Sequence, residues 1–471
     1  MHPDVSEEPN AIEIFLDVQK AYEILTDKGK RKEYDKSLAP ELNDHLRQRV
    51  AEVSSNQIQL RIHYSRSQLA DLEEPQLIYV LLEAATESNK SRIVSPPINV
   101  CLVLDRSTSM QGERMDAVKA TATELVRQMR PEDILSIVAF SDGAEVIVPA
   151  ARRFNRSEAE LKIRMLHTGG GTEIFHGLET AYYEVQRNLN SKRINQIILI
   201  TDGRTYGDEA DCLRLADNAT AKGMRINGLG IGSIWNDEFL DNLATRTGGR
   251  SLYLSRISDL DEFMQTMFKD MGEVIGDQIT LALDLPSGVT LTYAYRLQPD
   301  SSPLPIATSL KLGNLLRESQ LITLLEFTIE PVNWRAYQYE IARGVLTMQL
   351  HLLEPQILTI PLQMRRPVNH LNLTELPPEE IVQALAHISL YRMQEKVHTQ
   401  LYAGNIEGAY RQLELLASQL FSRGENELAH TALMEAEHIR STHGLSIEGS
   451  KQIKYGTRSL ITPSIIKMGK S

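Results

Sequence analysis

The middle of the chain predicts an α/β fold with a doubly wound, mostly parallel sheet, and three observations carry that prediction. From Asn99 to about Gly276, apolar strand-like runs alternate with amphipathic helical stretches in a regular beat. Two of the runs, Asn99–Asp105 and "INQIILITDG" from Ile194, are continuous in apolar character, as strands buried on both faces are. Both break off in an acid, Asp105 and Asp202, at the carboxyl edge where open α/β sheets bind ligands.

Taken in order, Asn99–Asp105 is the first buried strand, and Met115–Met129 follows with Met115, Val118, Ala122, Leu125, Val126 and Met129 on one helical stripe. Ile134–Phe140 and Glu145–Val148 are strands separated by the turn signal "SDGA". Ser157 reads as the N-cap of a short helix to Leu166, with Glu160 at capping-box spacing. After "HTGGGT" a helix runs from Ile174 to Leu189, and another near Glu209–Lys222 stops at Gly223. Strand Arg225–Ile231, helix Asp237–Arg246, strand Ser251–Leu254 and a last helix, Asp259–Val274, complete the beat.

The flanks have other patterns. Gln57–Tyr64 and Leu77–Leu82 alternate with period two, and further strands are read at Ser319–Ile329, Val345–Leu352 and Ile357–Gln363. "DQITLALDLPSGVTLTYAYRL" reads as a hairpin across Pro286–Gly288. These strands are expected to pair into one β-sandwich interrupted by the α/β domain. Glu379–Leu401, Ile406–Arg423 and Glu425–Thr442 read as helices, with Leu413, Leu416 and Leu420 facing Leu428, Leu433, Ala436 and Ile439 in a helical hairpin. The expected division is therefore 1–40 (N-terminal helices), 41–95 (sandwich strands), 96–276 (α/β), 277–367 (sandwich), 375–445 (α-helical) and 446–471, a basic, flexible tail.

Composition narrows the classes. A chain of 471 residues is too long for one ordinary core. Its net charge of -12 argues against a general nucleic-acid binder and disfavours attachment to anionic lipid. No apolar run has the length of a membrane span, and "MHPDVSEEPN" has neither the basic start nor the apolar stretch of a secretory signal. Cys101 and Cys212 read as reduced thiols, so the expected compartment is the cytoplasm.

The chemistry-bearing residues converge on the two acids. Asp105, Ser107 and Ser109 place three oxygens on one short loop, Thr172 enters behind the Gly169–Gly171 run, and Asp202 adds a second carboxylate. A donor set of hard oxygens, with no sulfur or imidazole, suits Mg²⁺, or Mn²⁺, in octahedral coordination. Two charged donors leave such an ion electrophilic, with a position free for a partner's Asp or Glu. A lone "DRSTS" would be read as a helix cap beside solvated strand ends, but three segments in order on the expected elements favour the metal. No phosphate loop, dinucleotide fingerprint, EF-hand, Ser elbow or HExxH motif is present, and His167 reads as a surface or packing histidine, so no catalytic residue is assigned.

With these residues in hand, "DRSTS", the Thr172 loop and "ITDG" resemble the metal-ion-dependent adhesion site (MIDAS) of von Willebrand factor type A (VWA) domains, over about Pro96–Gly276. The resemblance implies that Asp105, Ser107, Ser109, Thr172 and Asp202 are the metal site, the hydroxyls ligating directly and the acids partly through water. Thr108 stands where bacterial members often have Gly, at a position expected to face away from the ion.

A second resemblance lies at the start. His2–Pro3–Asp4, the stripe Phe15, Val18, Ala21, Tyr22 and Leu25, and "KRKEYD" resemble the second half of a DnaJ-type J-domain, without the two helices that precede that tripeptide in the family. On these grounds the first expectation is a non-enzymatic, cytoplasmic, bacterial adaptor that binds an acidic side chain of a partner protein through Mg²⁺. A J-domain-type co-chaperone of a DnaK-type ATPase, and a non-catalytic VWA partner of an AAA+ ATPase, are the alternatives; no nucleic acid or membrane partner is expected.

Overall fold

The computed structural model describes residues 50–54, 58–86, 95–204, 207–232, 234–331, 338–351, 356–369 and 376–461. The J-like segment with His2, Pro3 and Asp4 lies outside the described residues.

Four strands come first: β1 (Val50–Ser54), β2 (Ile58–Tyr64), β3 (Leu69–Ala70) and β4 (Gln76–Thr86). The α/β domain follows with β5 (Ile98–Asp105), α1 (Glu113–Gln128), β6 (Ile134–Phe140), β7 (Ala144–Arg152), α2 (Arg156–Arg164), α3 (Ile174–Arg187), β8 (Ile194–Thr201), α4 (Glu209–Ala221), β9 (Met224–Ile231), α5 (Asp237–Arg246), β10 (Ser251–Leu254) and α6 (Leu260–Gly272). Its sheet has the order β10-β9-β8-β5-β6-β7, parallel except for β7, which runs antiparallel to β6. Side chains of β5 alternate between two cores. Val100, Leu102 and Leu104 meet α1, α2 and α6, whereas Cys101 and Val103 meet α3, α4 and α5. Because β5 is flanked by β8 on one side and β6 on the other, the chain reverses its winding there, and a crevice opens beyond the ends of β5 and β8.

After the α/β domain come β11 (Val274–Asp284), β12 (Val289–Gln298), β13 (Ser302–Pro303), β14 (Ser309–Leu316), β15 (Leu321–Ile329), β16 (Gln338–Leu350) and β17 (Gln356–Asn369). They complete two sheets, β1-β2-β4-β15-β12-β13 and β14-β11-β16-β17-β3, around one apolar core. β4 pairs antiparallel with β15 from Leu321↔Ala84 to Ile329↔Gln76, so strands from both sides of the α/β domain share a single sandwich.

The expected hairpin across Pro286–Gly288 does not form. β11 pairs with β14 and β16, while β12 pairs with β13 and β15 in the opposite sheet. The connection crosses between sheets, and Ile279 and Leu281 of one strand face Leu291 and Ala294 of the other across the core. Long ladders with β16 and β15 replace the local closure that the turn residues had implied. A smaller correction concerns α2: Asn155, not Ser157, is the N-cap and accepts from Glu158 N, and Glu160 pairs instead with Arg127.

The helical region has four helices: α7 (Glu379–Tyr402), α8 (Ile406–Ser422), α9 (Asn426–Thr442) and α10 (Ile447–Ser459). Ile381, Ala384, Ile388 and Tyr391 of α7 cover the outer face of the first sandwich sheet at Leu81, Tyr295, Ile322 and Leu324. Between α8 and α9 the expected Ala436 and Ile439 lie in the seam with Leu428 packed against it, but Ala429 and Ala432 complete it and Leu433 is exposed. The expectation of a flexible tail from 446 is overturned as far as Ile461. Ser446 caps α10, whose Lys451, Tyr455 and Arg458 are buried against the α/β domain and α7. What looked like a solvated basic run is a helical stripe seated on acids: Lys454 pairs with Asp237 and Asp241, and Arg458 with Asp241. Tyr455 lies with its ring centre 5.7 Å from Trp235 and 5.8 Å from Tyr253.

Candidate metal centre

The site is assembled by three chain segments at the crevice. β5 is buried along its whole length and delivers Asp105, fully buried, at its last position. Beyond it the chain turns sharply, and Ser107 N–H donates back to Asp105 Oδ1 at 2.8 Å. The other oxygen, Oδ2, accepts from Thr201 Oγ1 at 2.5 Å, across the β5–β8 ladder. Ser107 Oγ and Ser109 Oγ are 3.0 Å apart, and Ser109 Oγ donates to Asp202 Oδ1 at 2.6 Å. Asp105, Ser107, Ser109 and Asp202 are thus brought together by a run of direct hydrogen bonds.

Thr172, also buried, comes from the glycine loop: its Oγ1 lies 3.0 Å from the point where a Cβ on Gly203, next to Asp202, would stand. Several hydrogen bonds fix that loop. Gly171 N–H donates to Asp142 Oδ1 at 2.6 Å, and Thr108, exposed and turned from the acids, donates from both N and Oγ1 to the Gly170 carbonyl. Gly170 has φ +85°, and a Cβ there would stand 2.5 Å from Asp142 Oδ2, so the position requires glycine twice over.

Three contributors were missed in the sequence. Thr201 holds Asp105, Asp142 holds the glycine loop, and Arg114 of α1 pairs with Asp202 Oδ2. Thr201 and Asp142 sit at strand exits beside residues that were singled out, which is the signal that could have found them; Arg114 gave none. His167, as expected, is exposed.

The electrostatics are those of a site short of positive charge. Burial pushes the Asp105 carboxyl above the usual carboxylate range; hydrogen bonds from Ser107 and Thr201 pull it back, and the charge on Asp202 adds to the rise. Asp105 has no ion-pair partner among the described residues' salt bridges, and the hydroxyls around it cannot neutralise it. The described residues contain no cluster of three or more His, Cys, Asp or Glu poised to hold a metal, so any ion taken here is held largely by hydroxyl oxygens. That donor chemistry, with one uncompensated buried carboxylate, fits a hard divalent cation.

Comparison with known proteins agrees with this layout. The von Willebrand factor type A domain family matches residues 99–268, a Sll0103-like C-terminal alpha-helical domain matches 379–463, and the DnaJ domain matches 1–35. Protein sll0103 of Synechocystis is 26% identical over 381 residues, covering 78% of this chain and 89% of that protein. YfbK of Escherichia coli is 23% identical over 205 residues, 42% of this chain but only 35% of YfbK. Among solved structures, a von Willebrand factor type A protein from Catenulispora acidiphila superposes with a TM-score of 0.67 at 16% identity, over 87% of this chain and 98% of that one. Its coverage reaches well past the α/β domain, so the sandwich and its insertion are a shared architecture. Residues 99–268 of this chain are a von Willebrand factor type A domain.

Proposed function

We propose that this protein is a metal-dependent protein–protein adaptor: its VWA domain holds Mg²⁺ and binds an acidic side chain of a partner through it. Ser107, Ser109 and Thr172, with Asp105 and Asp202, would hold the ion. The ion would supply an open position for a carboxylate, and the reading assigns no catalytic step. The observation that carries it is the pre-assembled chain of oxygens across two strand ends, Thr201–Asp105–Ser107–Ser109–Asp202, with a buried carboxylate left without a counter-charge. The sandwich and the four helices then serve as further docking surface.

The test is calorimetry of Mg²⁺ and Mn²⁺ on the whole chain beside Asp105→Ala and Thr172→Val, then capture from lysate with and without chelator. Binding by the wild type alone, and a captured protein that is lost with chelator, support the reading. Absence of metal binding, or capture indifferent to chelator, sinks it. The DnaJ match over residues 1–35 favours a second reading, co-chaperone action on a DnaK-type ATPase. Failure of the chain to stimulate such an ATPase removes it.

A further inference from the structure

Arg114 stands at the second position of α1, where the helix dipole disfavours a positive charge. Its guanidinium nevertheless reaches over the crevice. Nη1 pairs with Asp202 Oδ2 and donates to the Ser109 carbonyl at 3.3 Å, and Nη2 lies 3.1 Å from where a Cβ on Gly232 would stand. Gly232 has φ +70°, so the end of β9 presents bare backbone to the arginine. Three loops therefore frame one cation, on an acid whose side chain has 0% exposure, while the arginine itself keeps 35%.

We infer that Arg114 is a built-in cation that sets how tightly the site holds its metal; this rests on the metal-site reading above. The arginine neutralises Asp202 and leaves Asp105 as the uncompensated acid. A divalent ion entering among the same oxygens meets a fixed positive charge on the far side of Asp202, and like charges a few ångströms apart repel even in a partly aqueous setting. The pairing thus weakens the metal and stabilises the metal-free state. It also leaves the bound ion with more of its charge unneutralised by Asp202, and so with more attraction for a partner's carboxylate.

The opposite role, a positioning residue that orients Asp202 for the ion, predicts the opposite sign. Mn²⁺ alone is titrated into the full-length chain at low ionic strength, with wild type, Arg114→Gln, Arg114→Lys and Asp105→Ala compared by calorimetry and by water-proton relaxation. The expected result is roughly tenfold tighter binding by Arg114→Gln, with Arg114→Lys near wild type. The gap should shrink as salt rises from about 20 mM to about 500 mM, because the repulsion acts through solvent. Equal or weaker binding by Arg114→Gln overturns the inference while leaving the metal site intact. If wild type and Asp105→Ala alike bind no Mn²⁺, the metal-site reading fails and takes this inference with it. Arg114→Met, which keeps the stem and loses the charge, carries the same expectation should the Gln variant not fold.

Discussion

Two buried acidic centres lie on the same VWA domain, and they are compensated in different ways. Burial alone would push the Asp241 carboxyl of α5 upward, but Arg458 and Lys454 of α10 hold it well below the usual carboxylate range, and Tyr455 Oη adds a hydrogen bond at 3.3 Å. At the ends of β5 and β8, the one arginine pairs with Asp202 alone, and Asp105, without a cation, is pushed up by burial. The first centre is a closed joint between two regions, satisfied from within the chain. The second is left wanting a positive charge at a crevice. A buried acid that the fold fully neutralises serves structure; one that it leaves unneutralised points to a ligand.

The largest effect that would test this contrast is on the closed joint. Asp241→Ala leaves buried Arg458 without its carboxylate and Lys454 with Asp237 alone, and should cost about 3–5 kcal/mol in urea unfolding. The sign with pH follows from the depressed carboxyl. Its stabilisation is present above the unfolded aspartate value near 4 and is lost as pH falls through the lower folded value, so the gap between wild type and variant should narrow in acid. A gap constant down to pH 2 would break the assignment.

Asp105→Asn should behave in the opposite sense. The folded carboxyl is raised, so the folded state keeps its proton longer than the unfolded chain, and ionised Asp105 costs stability once pH passes about 4. Without metal the variant should match wild type or exceed it by about 1 kcal/mol at neutral pH, and Mg²⁺ should no longer raise its melting temperature. A loss as large as that of Asp241→Ala would show the two centres to be of one kind. The baseline for both is the exposed pair Arg127–Glu160, which joins the end of α1 to the middle of α2 at 3.0 Å. Arg127→Ala should leave the urea midpoint within error, and a clear shift would mean that surface charge, not burial, governs this domain.

The sequence made the α/β domain legible because its strands are read directly from unbroken apolar runs, and the acids that end two of them stand out against that background. The candidate metal-site residues followed from oxygen-bearing side chains at those strand ends and from three segments standing in order. Arg114 did not, because a cation in a helix's first turn says nothing of what lies across a crevice. Residues 447–459 failed for a related reason. Lys451, Lys454, Tyr455 and Arg458 keep helical spacing, but their polar letters hide a buried face whose partners, Asp237 and Asp241, are more than two hundred residues away in the chain. The β11–β12 connection misled because turn chemistry specifies a reversal and not which sheet receives the second strand.

The pairing of β4 with β15 has a consequence during synthesis. β4 leaves the ribosome before the entire inserted domain, and its edge toward β15 stays unpaired until that domain has followed. At ordinary elongation rates the wait is on the order of ten seconds or more. For that time "LIYVLL", Leu77–Leu82, is a strand edge open to other nascent chains. Chains slowed after the insert but before β15 should therefore be the ones that aggregate, with the finished VWA domain already folded inside the deposits.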